Sequence, residues 1–323
     1  MTNSEPLLTL RVARKTSEAE GIAGFELVAG DGRALPAVEA GAHLDIHLPN
    51  GVVRQYSLSN RPGDTGHYSI GVLRELAGRG GSAAMHDQVV EGTVLQVSAP
   101  KNHFPLHEKA ASSLLLAGGI GITPIIAMAE RLASIRAPFV MHYCTRSPAR
   151  TAYAERLRTA PFAGNVHFHF DDGHAEQRFD LVAHLKAPQP GVHLYVCGPK
   201  GFMDAALATA RDAGWGEQQI HFEYFKGAEV ISSHDRHFDV VIKSSGKVIR
   251  VEAAQPVTHA LAAHGIEIPT SCEQGVCGTC VTGVLDGEVD HRDLFLLDDE
   301  KARNDRFTPC CSRAKSPQLV LDL

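Results

Sequence analysis

Hydrophobic and polar positions change rhythm twice along the chain, and each change marks a different architecture. In the first hundred residues Ala42-His43-Leu44-Asp45-Ile46-His47-Leu48 alternates apolar with polar, the period of a half-buried strand. Asp31-Gly32 and Asn50-Gly51 are both hairpin-turn pairs. VVRQYSLSN follows the second of them, and HYSIGVLRE comes later; each predicts a strand. Short strands at this spacing predict a small antiparallel β-barrel.

From about residue 112 the apolar runs become continuous. Ser113-Leu114-Leu115-Leu116-Ala117 reads as a strand buried on both faces, followed by a glycine-rich turn and a helix over IIAMAERLASI with Pro124 at its head. Phe139–Tyr143 and His193–Cys197 predict two more strands, the second leading into a helix from Gly201 to Ala213. Strand and helix alternating in this way predict an α/β domain with a parallel sheet. KGAEVISSHDRH, residues 226–237, is polar and irregular and reads as a linker. Beyond it Phe238–Ile242 and Lys247–Val251 form a hairpin pattern across Ser244-Ser245-Gly246, and VTHALAAH predicts a short helix ending at Gly265. The fold expected is therefore multidomain: a barrel over 1–108, an α/β parallel-sheet domain over 109–226, a linker over 227–236 and an α+β module over 237–323.

Composition adds limits. With 323 residues, 44% apolar and 21% charged, the chain is of ordinary globular type. A net charge of -6 gives no footprint for nucleic acid or an anionic membrane surface, so neither is expected as a partner. Met1–Leu10 lacks the basic and apolar regions of a secretory leader, and runs such as Leu114–Ala117 and Ile120–Ile126 are too short to span a bilayer. A cytoplasmic location is expected. Seven cysteines, an odd number with four after residue 276, do not resemble a secreted disulfide scaffold.

Three of them stand in SCEQGVCGTC as Cys272, Cys277 and Cys280, spaced C-x4-C-x2-C. Zinc prefers two close pairs, or one pair with a histidine pair. A redox dithiol accounts for Cys277-Gly278-Thr279-Cys280 but leaves Cys272 unexplained. C-x4-C-x2-C with a distant fourth thiol is the plant-type [2Fe-2S] set. Gly275 and Gly278 let the loop curl so that N–H groups face the sulfurs. The distant thiol is Cys310 or Cys311.

SCEQGVCGTC, LDGEVDHRDLFL and FTPCCSRAKSPQLVLDL resemble the plant-type ferredoxin (β-grasp) domain of the phthalate dioxygenase reductase family. That resemblance makes Cys310 the fourth ligand and leaves Cys311 a small buried neighbour. It runs over essentially the whole chain, in the order flavin, nicotinamide, ferredoxin. Arg54-Gln55-Tyr56-Ser57-Leu58 resembles the R-x-Y-S-L strand of the ferredoxin–NADP reductase superfamily: an Arg for a phosphate, a Tyr against the isoalloxazine, a Ser near its N5 edge. Gly78-Arg79-Gly80-Gly81-Ser82 opens a helix-like stretch suited to the flavin phosphate. The resemblance implies FMN.

Leu114–Pro124 is a strand, a glycine turn and a helix start, a geometry that cradles pyrophosphate. It departs from G-x-G-x-x-G, since Pro124 replaces the third glycine, and resembles the superfamily's GGxGxTP through Gly119, Gly121 and Thr123. Thr145-Arg146 stands where a Rossmann dehydrogenase would carry an acid; Arg146 could meet the 2′-phosphate of NADPH, but the resemblance implies NADH. Cys197-Gly198-Pro199 resembles the C-G-P turn at the nicotinamide end, which places Cys197 near the hydride path. Glu223-Tyr224-Phe225 resembles an E-x-F ending whose ring, here Phe225, covers the flavin.

His291-Arg292-Asp293 matches the kinase H-R-D triplet without its companion motifs and is set aside. The 18 histidines, His43 and His47 among them, read mostly as surface or strand-edge residues, and Asp298-Asp299-Glu300 as a solvated face. The resemblance implies a reductase component that moves electrons from NADH through FMN and a [2Fe-2S] cluster to a Rieske-type terminal oxygenase or O-demethylase acting on an aromatic acid. Two alternatives stay open: a general carrier serving several acceptors, and a zinc-holding structural module.

Overall fold

The computed structural model describes residues 6–75, 80–225, 227 and 235–323. The chain divides into two compact units, 1–225 and 226–323.

The first unit begins with seven antiparallel strands: β1 (Leu8–Ala19), β2 (Ile22–Ala29), β3 (Ala42–His47), β4 (Val53–Ser57), β5 (Tyr68–Leu73), β6 (Val94–Val97) and β7 (Lys101–Asn102). Their order is β4-β3-β6-β1-β2-β5, with β7 on β3. A bridge between Leu58 and Ile70 joins the two outer strands and closes the barrel. Val12, Leu27, Leu44, Leu58 and Tyr68 fill its interior, with the Tyr68 hydroxyl donating to the Pro36 carbonyl at 2.9 Å. A short helix α1 (Gly81–Asp87) follows β5.

Two expectations fail here. Asn50-Gly51 does turn β3 into β4, with Gly51 at φ +80°. Asp31-Gly32 only ends β2, because β2 pairs with β1 and β5 and the chain then runs irregularly to β3. The first hairpin turns instead at Glu20-Gly21, with Gly21 at φ +75°. Nor is β3 half-buried: residues 42–46 are all buried and only His47 is exposed. His43 is thus not a surface residue. Asp45 and Gln55, with Lys101 of β7, make a polar layer that covers it.

The same unit continues with five parallel strands, β8 (Ser112–Gly118), β9 (Phe139–Thr145), β10 (Val166–Phe170), β11 (Val192–Cys197) and β12 (Ile220–Glu223), in the order β10-β9-β8-β11-β12. Helices α2 (Ile122–Ser134), α3 (Ala154–Thr159), α4 (Leu181–Leu185) and α5 (Lys200–Asp212) connect or flank them. Leu115, Ala117, Tyr195 and Cys197 pack with α2, whereas Leu116, Leu194 and Val196 pack with α5. Covering on both faces explains the unbroken apolar runs of β8 and β11. The strand order reverses between β8 and β11, and ligands of such sheets bind at that switch point.

The second unit has β13 (Phe238–Ile242), β14 (Val248–Val251), α6 (Val257–Ala262), β15 (Thr282–Asp286), β16 (Val289–Asp290), α7 (Asp298–Arg303), β17 (Arg306–Phe307), β18 (Arg313–Ala314) and β19 (Gln318–Leu321). Its mixed sheet runs β14-β13-β19-β15-β17, with β19 parallel to β13. Val257 and Leu261 of α6 pack with Val240, Ile249 and Leu319, a β-grasp arrangement. The strands left by the expected linker begin at Phe238; most of 227–236 lies outside the described residues. Among the described residues no helix is long and apolar enough to cross a membrane.

Candidate functional site

Both glycine-rich turns of the parallel sheet lie at its switch point. A Cβ on Gly121 would run into the carbonyl of Cys197 and stand 2.6 Å from the Gly198 nitrogen. One on Gly118 would stand 2.9 Å from Phe202 Cδ1 and from Pro199 Cδ. GGIGITP and CGP therefore touch, and only glycine permits it. Gly119 has open space around it but holds φ +52°. The 13-residue helix α2 has no side-chain cap and no acid in its first turn, so its positive end suits a phosphate of a dinucleotide, with the Ile122 N–H already donated to the Gly119 carbonyl. Thr123 lies inside that turn, its hydroxyl donating to the Ile120 carbonyl at 3.1 Å. Thr145 is buried and bonded to the Thr151 hydroxyl at 2.8 Å, while Arg146 is exposed.

Register brings a second set together at the same end. Cys197 pairs with Glu223 across β11 and β12, and the Ser57 hydroxyl donates to Glu223 Oε2 at 3.0 Å. Crowding by protein pushes the Glu223 carboxyl up to about 7, against the lowering effect of the Ser57 hydrogen bond. Burial, then the Glu223 charge, pushes the Cys197 thiol well up, so it is not a thiolate nucleophile. Phe225 packs against the same apolar cluster. Glu223 links Ser57, through its hydrogen bond, to Cys197, its neighbour across the sheet, and nothing in the local sequence pattern marks that link.

On β4 the flavin-type residues point to both faces. Tyr56 is half-buried against the barrel core, and burial raises its hydroxyl. Gln55 donates to Asp45 Oδ1 at 3.0 Å. A Cβ on Gly81 would stand 2.6 Å from Arg54 Cγ and 2.7 Å from its Nε, so the start of α1 lies on Arg54. Asn50 Nδ2 donates to the Gly80 carbonyl at 3.3 Å, and the Ser82 hydroxyl accepts from the Glu75 N–H at 3.0 Å. Gly78 and Arg79 of the same motif lie outside the described residues. A guanidinium against an uncapped helix start suits an anionic phosphate.

In the second unit the loop from 271 to 280 has no regular structure, and Glu273, Gly275 and Gly278 take φ of +52°, +71° and +72°. Cys272, Cys277, Cys280 and Cys310 are all buried. They approach in two pairs. Cys272 and Cys277 share a hydrogen bond, which raises the Cys272 thiol and lowers Cys277. Contact with Cys280, then with Cys311, raises Cys310. Among the described residues no three His, Cys, Asp or Glu side chains gather as a single ion requires. Two thiol pairs fit a binuclear group, whose irons each take two thiolates. N–H groups of Gln274 and Val276 face the Cys272 sulfur.

Cys311 sits beneath Gly275, its sulfur 3.2 Å from the Thr308 hydroxyl. The set-aside H-R-D triplet braces this loop. Asp293, 2% exposed, accepts from the Leu296 N–H at 2.7 Å, and the Leu294 N–H donates to the Gly275 carbonyl at 2.9 Å. Arg292 makes a bidentate pair with Asp235 at 2.9 and 2.6 Å. Phe295, 40% exposed, lays its ring tip where a Gly278 Cβ would be.

Residues 240–315 match the 2Fe-2S iron-sulfur cluster binding domain family, and residues 98–220 match the N-terminal domain of dimethylamine monooxygenase subunit DmmA-like proteins. The vanillate O-demethylase oxidoreductase of Pseudomonas sp. (strain HR199 / DSM 7063) is 54% identical over 94% of this chain and 96% of its own. The phthalate dioxygenase reductase of Burkholderia cepacia is 40% identical over 98% and 97%. A solved phthalate dioxygenase reductase, described as a modular structure for electron transfer from pyridine nucleotides to [2Fe-2S], superposes with a TM-score of 0.79 at 38% identity, covering 98% of both chains. Fold and site together define an iron–sulfur flavoprotein oxidoreductase that draws on a pyridine nucleotide. The chain belongs to the phthalate dioxygenase reductase family.

Proposed function

We propose that this chain is the NADH-dependent reductase of a Rieske-type oxygenase system that O-demethylates a methoxylated aromatic acid, as the name of its 54% identical relative suggests. When bound, FMN accepts a hydride from NADH and the [2Fe-2S] cluster passes electrons singly to the acceptor. The residues of the chain hold and shield these groups. The observation that carries the reading is the meeting of both glycine turns with the Ser57–Glu223 pair at one end of the parallel sheet.

Arg54 with Gly80, Gly81 and Ser82 receives the flavin phosphate; Tyr56 and Phe225 flank the ring. Gly119, Gly121 and Thr123 bring α2 to the dinucleotide, and Gly198-Pro199 leave room at the nicotinamide end. Arg146, exposed at the end of β9, faces the adenosine side. The Ser57 hydroxyl donates to Glu223, whose carboxyl is raised to about 7; once protonated, Glu223 donates to Ser57 instead, which frees the hydroxyl hydrogen for the flavin edge. Cys272 and Cys277 bind one iron, Cys280 and Cys310 the other, all as thiolates. These assignments follow the domain limits 1–108, 109–226 and 237–323, and the location is the cytoplasm.

Anaerobic NADH titration of the purified chain tests the reading, followed by turnover with separately purified oxygenases. Bleaching of flavin and cluster, then strong preference for a demethylating Rieske oxygenase, supports it. Equal rates with unrelated acceptors would favour a general carrier. Cys310→Ser is expected to lose the cluster spectrum and Cys311→Ser to keep it; the reverse would reassign the fourth ligand.

A further inference from the structure

Within the first unit the barrel and the parallel sheet meet at one bare backbone position. Side chains alternate along β5: Ile70 and Val72 join the barrel core, while Leu73 belongs with Ile22, Tyr153, Ile122 and Ile125 to the cluster outside it. Gly71 stands on that outer face. A Cβ there would lie 2.7 Å from the Tyr153 hydroxyl, 3.0 Å from Thr123 Cγ2 and 3.3 Å from Ile120 Cδ1. Gly71 is not among the glycines of positive φ, and it pairs regularly with Gly24 of β2. Close approach, not a turn, is what calls for glycine.

The position has one candidate site on either side. Ile70, one residue earlier, bridges Leu58 at the end of the R-Q-Y-S-L strand. Ile120 and Thr123 belong to the dinucleotide turn, and the Thr123 hydroxyl turns back to the Ile120 carbonyl at 3.1 Å while its methyl faces Gly71.

Tyr153 fills the notch at a cost. It takes φ +57° and ψ +18°, a left-handed backbone that bulky side chains disfavour. Its hydroxyl is buried and comes near Ser59 without a formed hydrogen bond, so packing holds it. The Arg156 guanidinium lies 6.0 Å over the ring and pairs with Glu130 of α2 at 3.3 Å. Such a backbone persists only where its surroundings over-determine it, and it gathers at functional sites.

We propose that Gly71 and Tyr153 form a key that sets how closely the dinucleotide turn approaches the flavin strand, making both positioning residues for hydride transfer. In that step NADH loses a hydride, with its electron pair, to the flavin N5 and becomes NAD+. The key touches none of the reacting atoms. It acts through Ile120 and Thr123 on one side and through the Ile70–Leu58 bridge on the other. It rests on the proposed function, in which β4 holds the flavin and the 119–123 turn the dinucleotide. Hydride transfer needs atoms already in contact, so a small shift at this joint slows it without emptying either site.

Gly71→Ala drives a methyl against the Tyr153 hydroxyl, and Tyr153→Phe removes that hydroxyl while keeping the ring. Both variants and their double are compared with the parent as flavin-loaded full chains. Stopped-flow mixing with NADH gives the limiting rate of flavin reduction and the NADH concentration for half of it. Hydrogen exchange of the 119–123 amides, read by mass spectrometry without NADH, reports the seat of the turn itself. Gly71→Ala is expected to lower the limiting rate roughly tenfold, with the half-saturating concentration within about twofold, and to speed the exchange. Tyr153→Phe alone is expected to stay within about twofold of the parent, and the double variant to recover most of the loss in both readouts.

Parental rate and exchange in Gly71→Ala would overturn the proposal, as would a loss that Tyr153→Phe leaves uncorrected. A lowered urea midpoint with unchanged exchange in 119–123 would make the role structural and overturn it as well. If NADH fails to reduce the flavin of the parent chain, the proposed function fails; the exchange measurement still decides whether Gly71 and Tyr153 seat the turn.

Discussion

Glu223→Gln separates the electrostatics of the Ser57–Glu223 pair from its packing. The carboxyl sits at about 7 in the folded protein against 4.5 in the ordinary state, because crowding by protein outweighs the hydrogen bond from Ser57. A carboxyl raised in this way favours folding in its protonated form. That contribution is complete below about 4.5 and is lost as pH rises through about 7. A shift of about 2.5 units corresponds to about 3 kcal/mol above pH 8, as an upper limit. Gln keeps the shape and the acceptor for Ser57 but cannot ionise. Its gain over the parent should therefore approach about 3 kcal/mol at pH 8 and fall below about 1 kcal/mol at pH 5.

Trp215 makes this measurable in a chain of two units. It is the single tryptophan, buried in the first unit with its Nε1 donating to the Leu185 carbonyl at 2.8 Å. Its fluorescence in urea reports that unit alone, which a global melting curve would not. A stability gap that stays constant between pH 5 and pH 8 would refute the argument. The gap would then come from repacking and not from a buried charge.

Three further outcomes follow from the geometry. Gly278→Ala places a Cβ in the Phe295 ring at a φ of +72°, so iron and visible absorbance per chain should fall, with partial recovery in Gly278→Ala/Phe295→Ala; no recovery would put the whole cost in the backbone. Gly121→Ala drives a methyl into the Cys197–Gly198 backbone and should slow flavin reduction by NADH at least tenfold with the cofactor spectra kept, whereas Gly119→Ala, with open space, should cost only about 1 kcal/mol of stability; equal effects would count against the turn contact. Burial first holds His43 and His221 at about 4 and His142 at about 3, each below its unfolded value, so their stabilising neutrality is complete above about 6.5 and lost on acidification. Urea midpoints read by Trp215 should fall steeply from pH 6.5 to pH 4, and a flat profile would contradict the burial of these rings.

What was legible in the sequence was what burial on two faces or covalent spacing writes there. Leu114–Ala117 of β8 and Leu194–Cys197 of β11 are unbroken apolar runs because α2 and α5 cover opposite sides, and the cysteine spacing survives whatever surrounds it. The strands β10 and β12 escaped notice. VHFHF and IHFE put histidine where an edge strand can carry it, and this dilutes the apolar signal. Glu20-Gly21 was missed as a hairpin because its first residue is not a turn former, so only the pairing of β1 with β2 reveals it. His43 looked exposed because its period within β3 is polar. The period reports which face a residue takes, but not that Lys101, Asp45 and Gln55 roof that face over.

The H-R-D triplet shows the same limit from the other side. As a motif it lacks every companion that would give it catalytic meaning. Arg292 and Asp293 of the triplet are nevertheless each held by several partners. Asp293 is buried, and the Leu296 N–H and the Ser312 hydroxyl reach its two oxygens at 2.7 and 3.4 Å. A buried carboxylate is tolerable only with such partners, and here they fix the segment whose next residue, Leu294, holds the Gly275 carbonyl. Phe295, one residue further, then lies against Gly278. The charge of Asp293 thus acts two steps away, on the curvature of a loop that must present its thiols in pairs. Spacing within SCEQGVCGTC names the thiols, but their arrangement depends on a carboxylate that no local pattern connects to them.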